Sequence, residues 1–191
     1  GGESIGIIAN QPSVIAGSID VDAADKAAHF IQVCDSFHLP LVFLADNPGV
    51  LAGQASERAG ILRAGARMFA AQTRAQTVKV HVTLRKAYGF GSSVMAMNPY
   101  DEQTLSFGFP GATLGAMGAS GAGNAVGADE ATQAELHQAE NESSYRSANG
   151  LSFDDLIDPR DLRNVVIEGL AVSAQRRSGE ATPVARTGIT P

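Results

Sequence analysis

The chain has 191 residues, of which 44% are hydrophobic and 18% are charged, a balance typical of one folded domain with a substantial core. Its net charge of -6 excludes a general basic surface for nucleic acid, so any anionic ligand must meet a local patch. The single cysteine, Cys34, excludes an internal disulfide and a cysteine metal cluster. We find no membrane span and no signal peptide, and we expect a cytoplasmic protein with neither nucleic acid nor membrane as a partner.

The first part of the chain predicts a strand, a helix and a second strand. Residues 4–9 are predicted to form a strand, and the apolar stretch 14–19 is a candidate to pair beside it. Asp22 is predicted to cap the helix that follows. The apolar positions of this helix are predicted to be Ala27, Phe30, Ile31, Cys34 and Phe37 or His38. The continuous apolar run 41–45 predicts a strand buried on both faces, as in a parallel sheet.

The middle of the chain predicts a turn, a long helix and a third strand. The turn Asp46-Asn47-Pro48-Gly49 closes the second strand, and residues 57–74 are predicted to form one helix. Alternating β-branched residues at 78–82 predict the third strand, and residues 92–97 predict the first turns of another helix. The buried stripe of the helix at 57–74 is predicted to hold Ile61, Gly65, Met68, Phe69 and Gln72.

The last part of the chain is less regular. Residues 105–109 predict a strand, and the glycine- and alanine-rich segment 111–127 predicts either a ligand-facing loop before a close-packed helix or only a packing surface. Residues 129–147 predict an exposed helix, and Asp158-Pro159 is a typical helix start. The order of elements predicts an α/β fold with mostly parallel strands and a site where the strand ends meet.

The stretch TVKVHVTLRKAYGFGSSVMAMNP, residues 77–99, carries the strongest chemical signal. It predicts a strand, a tight glycine turn and a helix start. Unpaired main-chain N–H groups at a helix start can bind an oxygen on which negative charge develops, as in an oxyanion hole. The same pattern is also typical of a plain glycine turn between a core strand and a core helix.

The chain offers few other catalytic groups. Its four histidines are scattered, and no Gly-x-Ser-x-Gly motif or phosphate-binding loop occurs. Asp46 is a candidate base, but an aspartate at a strand end more often caps a turn. Arg85 and Lys86 are candidates to hold phosphates or carboxylates, or to pair with surface acids. This inventory favours a reaction in which the protein mainly polarises carbonyl groups.

Several motifs resemble one family in the same order. RKAYGFGSSVMAM is similar to a segment of the carboxyltransferase β subunits of biotin-dependent acyl-CoA carboxylases, of the propionyl-CoA and acetyl-CoA carboxylase type. GIIANQP, DKAAHFIQVCDSFHLPLVFLADNPGVLAG, GILRAGARM, VMAMNP, MGASGA and DDLIDPRDLR also resemble family segments. The resemblance extends to about residue 175. We therefore expect a C-terminal carboxyltransferase domain over residues 1–180 and a tail over 181–191.

The resemblance implies a crotonase-like (ClpP/crotonase) α/β fold, a superhelix of stacked ββα turns. It implies an enzyme domain that moves a carboxyl group from carboxybiotin, on a carrier protein, to the α-carbon of an acyl-CoA. The expected partners are the N-terminal carboxyltransferase half, a biotin carboxylase or biotin carrier subunit, and further copies in a dimer or hexamer. The family needs no protein base, because the biotin enolate left by decarboxylation takes the α-proton, and no metal site is implied.

The resemblance also assigns residues. The two oxyanion-hole donors fall on the backbone N–H groups of Phe90 and Gly91, and one such donor is worth roughly 3 kcal/mol in a comparable hole. The implied substrate-binding residues are Tyr88, Gly89, Ser93, Pro48, Gly49 and Val50. Two departures stand out, since the family commonly has Gly-Ala at 90–91, and its acyl-length position holds Ser93 here. The segment 128–150 matches poorly and is predicted to be a surface helix outside the site.

Two alternatives stay open. One is a biotin-dependent acyl-CoA decarboxylase subunit, which runs similar chemistry in reverse. The other is a non-catalytic scaffold half of such a complex, which would be favoured if the ring of Phe90 blocked biotin. The sequence does not determine the acyl chain length, the direction of the reaction or the oligomeric state.

Overall fold

A single parallel sheet of six strands forms the framework of the protein. The computed structural model describes residues 2–98 and 103–176. The sheet order is β1-β2-β3-β4-β6, and β5 pairs with β3 beyond the end of β4. The strands are β1 (Gly6–Ala9), β2 (Leu41–Asn47), β3 (Lys79–Tyr88), β4 (Leu105–Gly108), β5 (Thr113–Gly115) and β6 (Asp155–Leu156).

Helices lie between the paired strands, as parallel pairing requires, whereas the short loop 109–112 joins β4 to β5. Within the described residues they are α1 (Val21–Ser36), α2 (Gln54–Ala59), α3 (Ile61–Arg74), α4 (Gly89–Val94), α5 (Ala119–Val126), α6 (Glu130–Asn141), α7 (Ser143–Asn149) and α8 (Leu162–Val172). Short 3-10 turns lie at Ile15–Gly17, Pro159–Asp161 and Ser173–Arg176. In these parts of the chain no helix is long and apolar enough to cross a membrane.

Strand β3 is the centre of the sheet. One edge pairs with β2, while the other pairs first with β4, over 80–83, and then with β5, over 86–88. All these pairings are parallel, so the carboxyl ends of β2, β3 and β5 lie along the same edge of the sheet. The two turns that the sequence singled out, at 46–49 and 88–91, therefore leave the sheet side by side.

The core has a layer on each face of the sheet. Alternate residues of β2 divide between them, because successive side chains of a strand point to opposite faces. Leu41 and Phe43 join Met68 of α3 in one cluster, whereas Val42 joins Leu170 of α8 in the other. The prediction that the run 41–45 is buried on both faces is confirmed, with Leu44 only partly buried.

Two predictions about the segment that leads into α1 are wrong. Residues 14–19 form no strand, because Ile15 and Ala16 have positive φ angles of 40° and 56°, and only Ile19 makes an isolated bridge, with Val50. Asp20 rather than Asp22 caps α1, with Oδ1 accepting a hydrogen bond of 2.9 Å from the N–H of Ala23.

The buried face of α1 agrees with the predicted one at Ile31 and Cys34 and differs at the aromatic positions. Phe30 and Phe37 are 40% and 57% exposed. The small residues Ala24 and Ala28 let α1 pack closely against its neighbours, and the rings of Phe30 and Phe37 lie outside this contact. The buried positions are Ala24, Ala28, Ile31, Cys34 and Asp35.

The predicted helix over 57–74 is two helices. Gly60 adopts a left-handed φ of 93° and separates α2 from α3. Most of the predicted stripe is buried in α3, including Ile61, Gly65, Met68 and Gln72. The helix start at Asp158-Pro159 is confirmed, since Asp158 Oδ1 accepts from the N–H of Arg160 at 2.8 Å. The predicted tail at 181–191 lies outside the described residues.

The remaining predictions differ in detail. Strand β3 runs to Tyr88, so α4 begins at Gly89, three residues before the predicted start. The segment 111–127 contains β5 and α5. The predicted surface helix at 129–147 is the pair α6 and α7, and no residue of α6 is fully buried.

Candidate functional site

The short helix α4 begins where β3 ends. Tyr88 precedes it in an extended conformation and gives no side-chain cap, and Gly89 turns the chain with a φ of 53°. The main-chain N–H groups of Phe90 and Gly91 lie in the first turn of α4. Helix geometry provides no acceptor within the helix for such groups. The backbone at 89–91 therefore presents donors of the kind that an oxyanion requires.

Gly91 is in close contact with the turn after β2. A Cβ atom on Gly91 would lie 2.2 Å from Oδ1 of Asn47 and 2.7 Å from Cα of Gly49. Gly49 has a φ of 127°, and its Cβ position is 3.5 Å from the main-chain oxygen of Tyr88. The structure thus brings together the predicted site segments 48–50 and 88–91, and the contact depends on glycine at 91.

Two asparagines hold this turn in place. Asn47 is fully buried, and its Nδ2 donates to Oδ1 of Asn10 at 3.1 Å while its Oδ1 accepts from the N–H of Gly49 at 3.0 Å. Asn10 Oδ1 also accepts from the N–H of Asp46 at 3.1 Å. The sequence analysis did not single out either residue. The available signal was an asparagine after each of two predicted strands, in GIIANQP and ADNPG.

The ring of Phe90 lies against α3. It is 40% exposed, and its centroid is 5.8 Å from that of Phe69. A Cβ on Gly65 would be 2.9 Å from Cε1 of Phe90, so glycine at 65 provides the space that the ring needs. The side chain at 90, where the family commonly has glycine, is accommodated on the surface of α3.

Ser93 and Val50 lie at the borders of this region. The main-chain oxygen of Ser93 accepts a hydrogen bond of 3.1 Å from Nε2 of the buried Gln72, which ties α4 to α3. Val50 is half-buried and makes the bridge to Ile19. Both contacts are structural.

Tyr88 is buried and linked to a carboxylate that the sequence analysis missed. Its hydroxyl donates to Oε1 of Glu140 and lies 2.9 Å from Oγ1 of Thr113. Burial first, and then the bond to Glu140, raise the pKa of Tyr88 to about 12, so the phenol is neutral near pH 7. Nothing in the polar pattern of 129–147 marked Glu140 for this contact, which spans 52 residues.

The contacts of Glu140 bring the segment 128–150, which was predicted to lie outside the site, against the predicted site residue Tyr88. Burial by itself would raise the pKa of Glu140, but hydrogen bonds from Tyr88, the N–H of Ala119 and His137 outweigh it, so that the pKa lies below its usual value. The side chain is therefore an anionic acceptor near pH 7.

The candidate base Asp46 forms an ion pair. Both its carboxylate oxygens lie 3.1 Å from Nε of Arg85. Of the roles considered for Arg85, the structure shows the one of pairing with an acid. Because Asp46 and Glu140, the two carboxylates that flank the turns, both accept hydrogen bonds from protein groups, the site presents main-chain donors and no free acid or base among these residues.

His81 is buried in the core, next to the residue that follows α4. Its Nδ1 donates to the main-chain oxygen of Met95 at 2.7 Å, and its Nε2 lies 2.7 Å from Oγ1 of Thr83. Burial lowers the pKa of His81 to about 4, against a smaller opposing effect of the Met95 bond. The ring is therefore neutral near pH 7 and supports the end of α4.

Known proteins are similar to this chain in sequence and in fold. The family model of the carboxyl transferase domain matches residues 1–187. The methylmalonyl-CoA carboxyltransferase 12S subunit of Propionibacterium freudenreichii subsp. shermanii is 40% identical over 187 residues, which cover 92% of this chain and 36% of that protein. The methylmalonyl-CoA decarboxylase subunit alpha of Veillonella parvula is 38% identical over 184 residues, with coverages of 94% and 36%.

A solved structure agrees. The crystal structure of transcarboxylase 12S, a hexamer with hydrolysed methylmalonyl-coenzyme A bound, superposes with a TM-score of 0.87 at 40% identity, covering 100% of this chain and 36% of that one. The fold is thus the crotonase-like α/β fold that the sequence predicted. The chain belongs to the carboxyl transferase domain family, and it spans 36% of the length of these relatives.

Proposed function

We propose that this chain is the C-terminal domain of a carboxyltransferase that moves a carboxyl group from carboxybiotin to the α-carbon of an acyl-CoA. The observation that carries the proposal is the first turn of α4, where main-chain donors lie against the turn at 47–49 and the flanking carboxylates are already engaged. A site of this kind stabilises a developing oxyanion and does not abstract protons.

The residues present fit a biotin group. When bound, carboxybiotin supplies the carboxyl group and a ureido oxygen on which charge can develop, and the N–H groups of Phe90 and Gly91 would receive that oxygen. The absence of a side chain at Gly91 lets the turn at 47–49 pack directly against the start of α4, and Gly89 and Gly49 adopt positive φ angles in these two backbone segments. We assign Pro48, Gly49, Val50, Tyr88, Gly89 and Ser93 to the walls of the substrate site.

The sharpest test removes one main-chain donor and keeps the side chain. Replacing Phe90 by its α-hydroxy acid analogue turns the amide into an ester, so that the N–H is lost while the ring stays. The ester also makes the Gly89 carbonyl a weaker acceptor for Ser92 Oγ, and Ser92→Ala controls for that change. With the rest of the carboxyltransferase subunit present, we expect the rate of carboxyl transfer to fall on the order of 100-fold or more. Phe90→Ala, which keeps the N–H and loses the ring, should retain most of the activity.

Other outcomes would count against the proposal. Full activity of the ester variant would mean that the oxyanion is stabilised elsewhere. A proline at 91 would be a poorer test, since its Cβ would collide with Asn47 and could abolish activity by unfolding the turn.

The decarboxylase alternative has support of its own, the 38% identity to a methylmalonyl-CoA decarboxylase subunit. The same donors would serve both directions of the reaction. Because carboxyl transfer is reversible, the subunits that assemble with the chain distinguish the two functions. A biotin carboxylase subunit in the native complex, identified by mass spectrometry, supports the carboxylase, and a complex without one supports the decarboxylase. The scaffold alternative gains little, because the ring of Phe90 packs on α3 and leaves the donors of α4 in place.

The partners follow from the same proposal. An acyl-CoA-binding N-terminal half, a biotin carboxylase or carrier subunit and further copies in a dimer or hexamer would complete the enzyme. A hexamer assembled as a multienzyme core is described for transcarboxylase 12S.

The lone buried Cys34 suits a reducing compartment, and we propose the cytoplasm as the location. Adding the N-terminal half in trans should restore transfer, and failure under all conditions would weaken the proposal.

A further inference from the structure

Glu140 is an exception on an otherwise solvent-facing helix. Among the residues of α6 none is fully buried, yet the side chain of Glu140 is only 18% exposed and points into the protein. Its Oε1 accepts a hydrogen bond from the hydroxyl of Tyr88 and another, of 3.0 Å, from the N–H of Ala119 at the start of α5. One carboxylate oxygen thus connects the residue before α4 to the first residue of α5.

These two bonds fix a loop that reaches the glycine turn. The ring of Tyr88 lies against the Gly115–Gly118 loop, with Cζ 3.9 Å from the Cβ position of Gly118. In the same loop, the main-chain oxygen of Ala116 is 2.8 Å from where a Cβ of Gly89 would be. The loop therefore touches the backbone at the point where α4 begins.

The end of α6 is itself fastened to the sheet. Ser143 Oγ donates to the main-chain oxygen of Glu140 at 2.5 Å and accepts from the N–H of Leu114 in β5 at 2.8 Å. These two bonds therefore hold the main chain of Glu140 in place relative to β5.

We infer that Glu140 is a positioning residue, which sets the orientation of the Phe90 and Gly91 N–H groups through Tyr88 and the Gly115–Gly118 loop. The inference rests on the proposed function of those donors. Hydrogen bonds to Glu140 lower the pKa of its carboxyl group, so the group is ionised near pH 7. An ionised carboxylate only accepts hydrogen bonds, and one of its oxygens can therefore accept from Tyr88 and Ala119 at the same time. A misplaced donor weakens transition-state binding far more than substrate binding.

The test compares Glu140→Ala with Glu140→Gln, whose amide oxygen can still accept from Tyr88 and Ala119. Glu135→Ala, at an exposed position of the same helix, is the matched control. With the complete subunit, we expect Glu140→Ala to lower kcat on the order of 10- to 100-fold with little change in the KM for acyl-CoA. Glu140→Gln should recover most of the loss, and Glu135→Ala should behave like the unchanged protein.

A second readout is independent of activity. The amide chemical shifts of Gly89, Phe90 and Gly91 should change in Glu140→Ala and far less in Glu140→Gln, while those of β1 and β2 stay unchanged. Unaltered shifts at these three amides, or changes throughout the domain, would overturn the inference. This local response in Glu140→Ala, together with no carboxyl transfer by the unchanged protein, would instead refute the proposed function alone.

Discussion

Gly91 of α4 and Asn47 at the end of β2 are in direct contact, such that a Cβ on Gly91 would lie 2.2 Å from Asn47 Oδ1. The two residues are 44 positions apart in the sequence and belong to two turns that leave adjacent strands. This contact fixes the distance between the predicted oxyanion donors and the loop at 48–50, and several predictions depend on it.

We expect Gly91→Ala to lower the free energy of unfolding by about 1–3 kcal/mol, because the methyl group must displace a buried amide and a neighbouring backbone. Chemical denaturation measures this loss. Gly121→Ala is the matched control, since its Cβ would meet nothing within 4 Å in α5, and helix propensity should make it slightly stabilising. Equal behaviour of the two variants would show that the space at Gly91 is not restricted.

We expect Asn47→Ala to lower the free energy of unfolding by about 2 kcal/mol, because the variant leaves the N–H of Gly49 without its acceptor and Oδ1 of Asn10 with only the N–H of Asp46. Amide exchange at Gly49 should accelerate in parallel. Asn124→Ala, at an exposed position of α5, should change the stability by less than about 0.5 kcal/mol. A stability loss of similar size in both variants would contradict the role assigned to the asparagine pair.

The neutral His81 predicts a pH dependence of stability. Its pKa is about 4 in the folded protein against a usual 6.5, so the unfolded chain binds more protons between these values. The contribution of His81 to the free energy of unfolding is therefore fully present above pH 6.5. It is lost as the pH falls to 4 and below, a loss of about 3 kcal/mol for this group.

The measurement compares unfolding free energies at pH 7 and pH 4.5. His81→Gln should be less stable overall but should lack this part of the slope, whereas the exposed His29→Gln should keep it. If His81→Gln retained the full slope, His81 would not be the group responsible.

Tyr88 should ionise at a higher pH than an exposed tyrosine, with a pKa of about 12. Spectrophotometric titration of the protein and of Tyr88→Phe gives the signal of this residue by difference. Glu140→Ala should lower the pKa of Tyr88 without restoring the usual value, because burial remains. A difference titration near pH 10 in the unchanged protein would contradict the described hydrogen bond.

Local sequence patterns determined the order of elements, the parallel sheet and the main turns. The apolar run at 41–45 and the Asp158-Pro159 start act through neighbours in the chain, so they could be identified without a structure. The motif resemblance added the family. Helix registers were less accessible, because the buried face of α1 depends on how closely α3 approaches it.

Only the tertiary structure decided the contacts that shape the candidate site. Asn10 meets Asn47 across 37 residues, and Tyr88 meets Glu140 across 52. No periodicity encodes such pairs, because their energies come from burial and hydrogen-bond geometry that exist only once the sheet and helices are packed. The sequence by itself determined that a glycine turn with main-chain donors follows β3. The packing of Gly91, Asn47 and Glu140 determined how that turn is held.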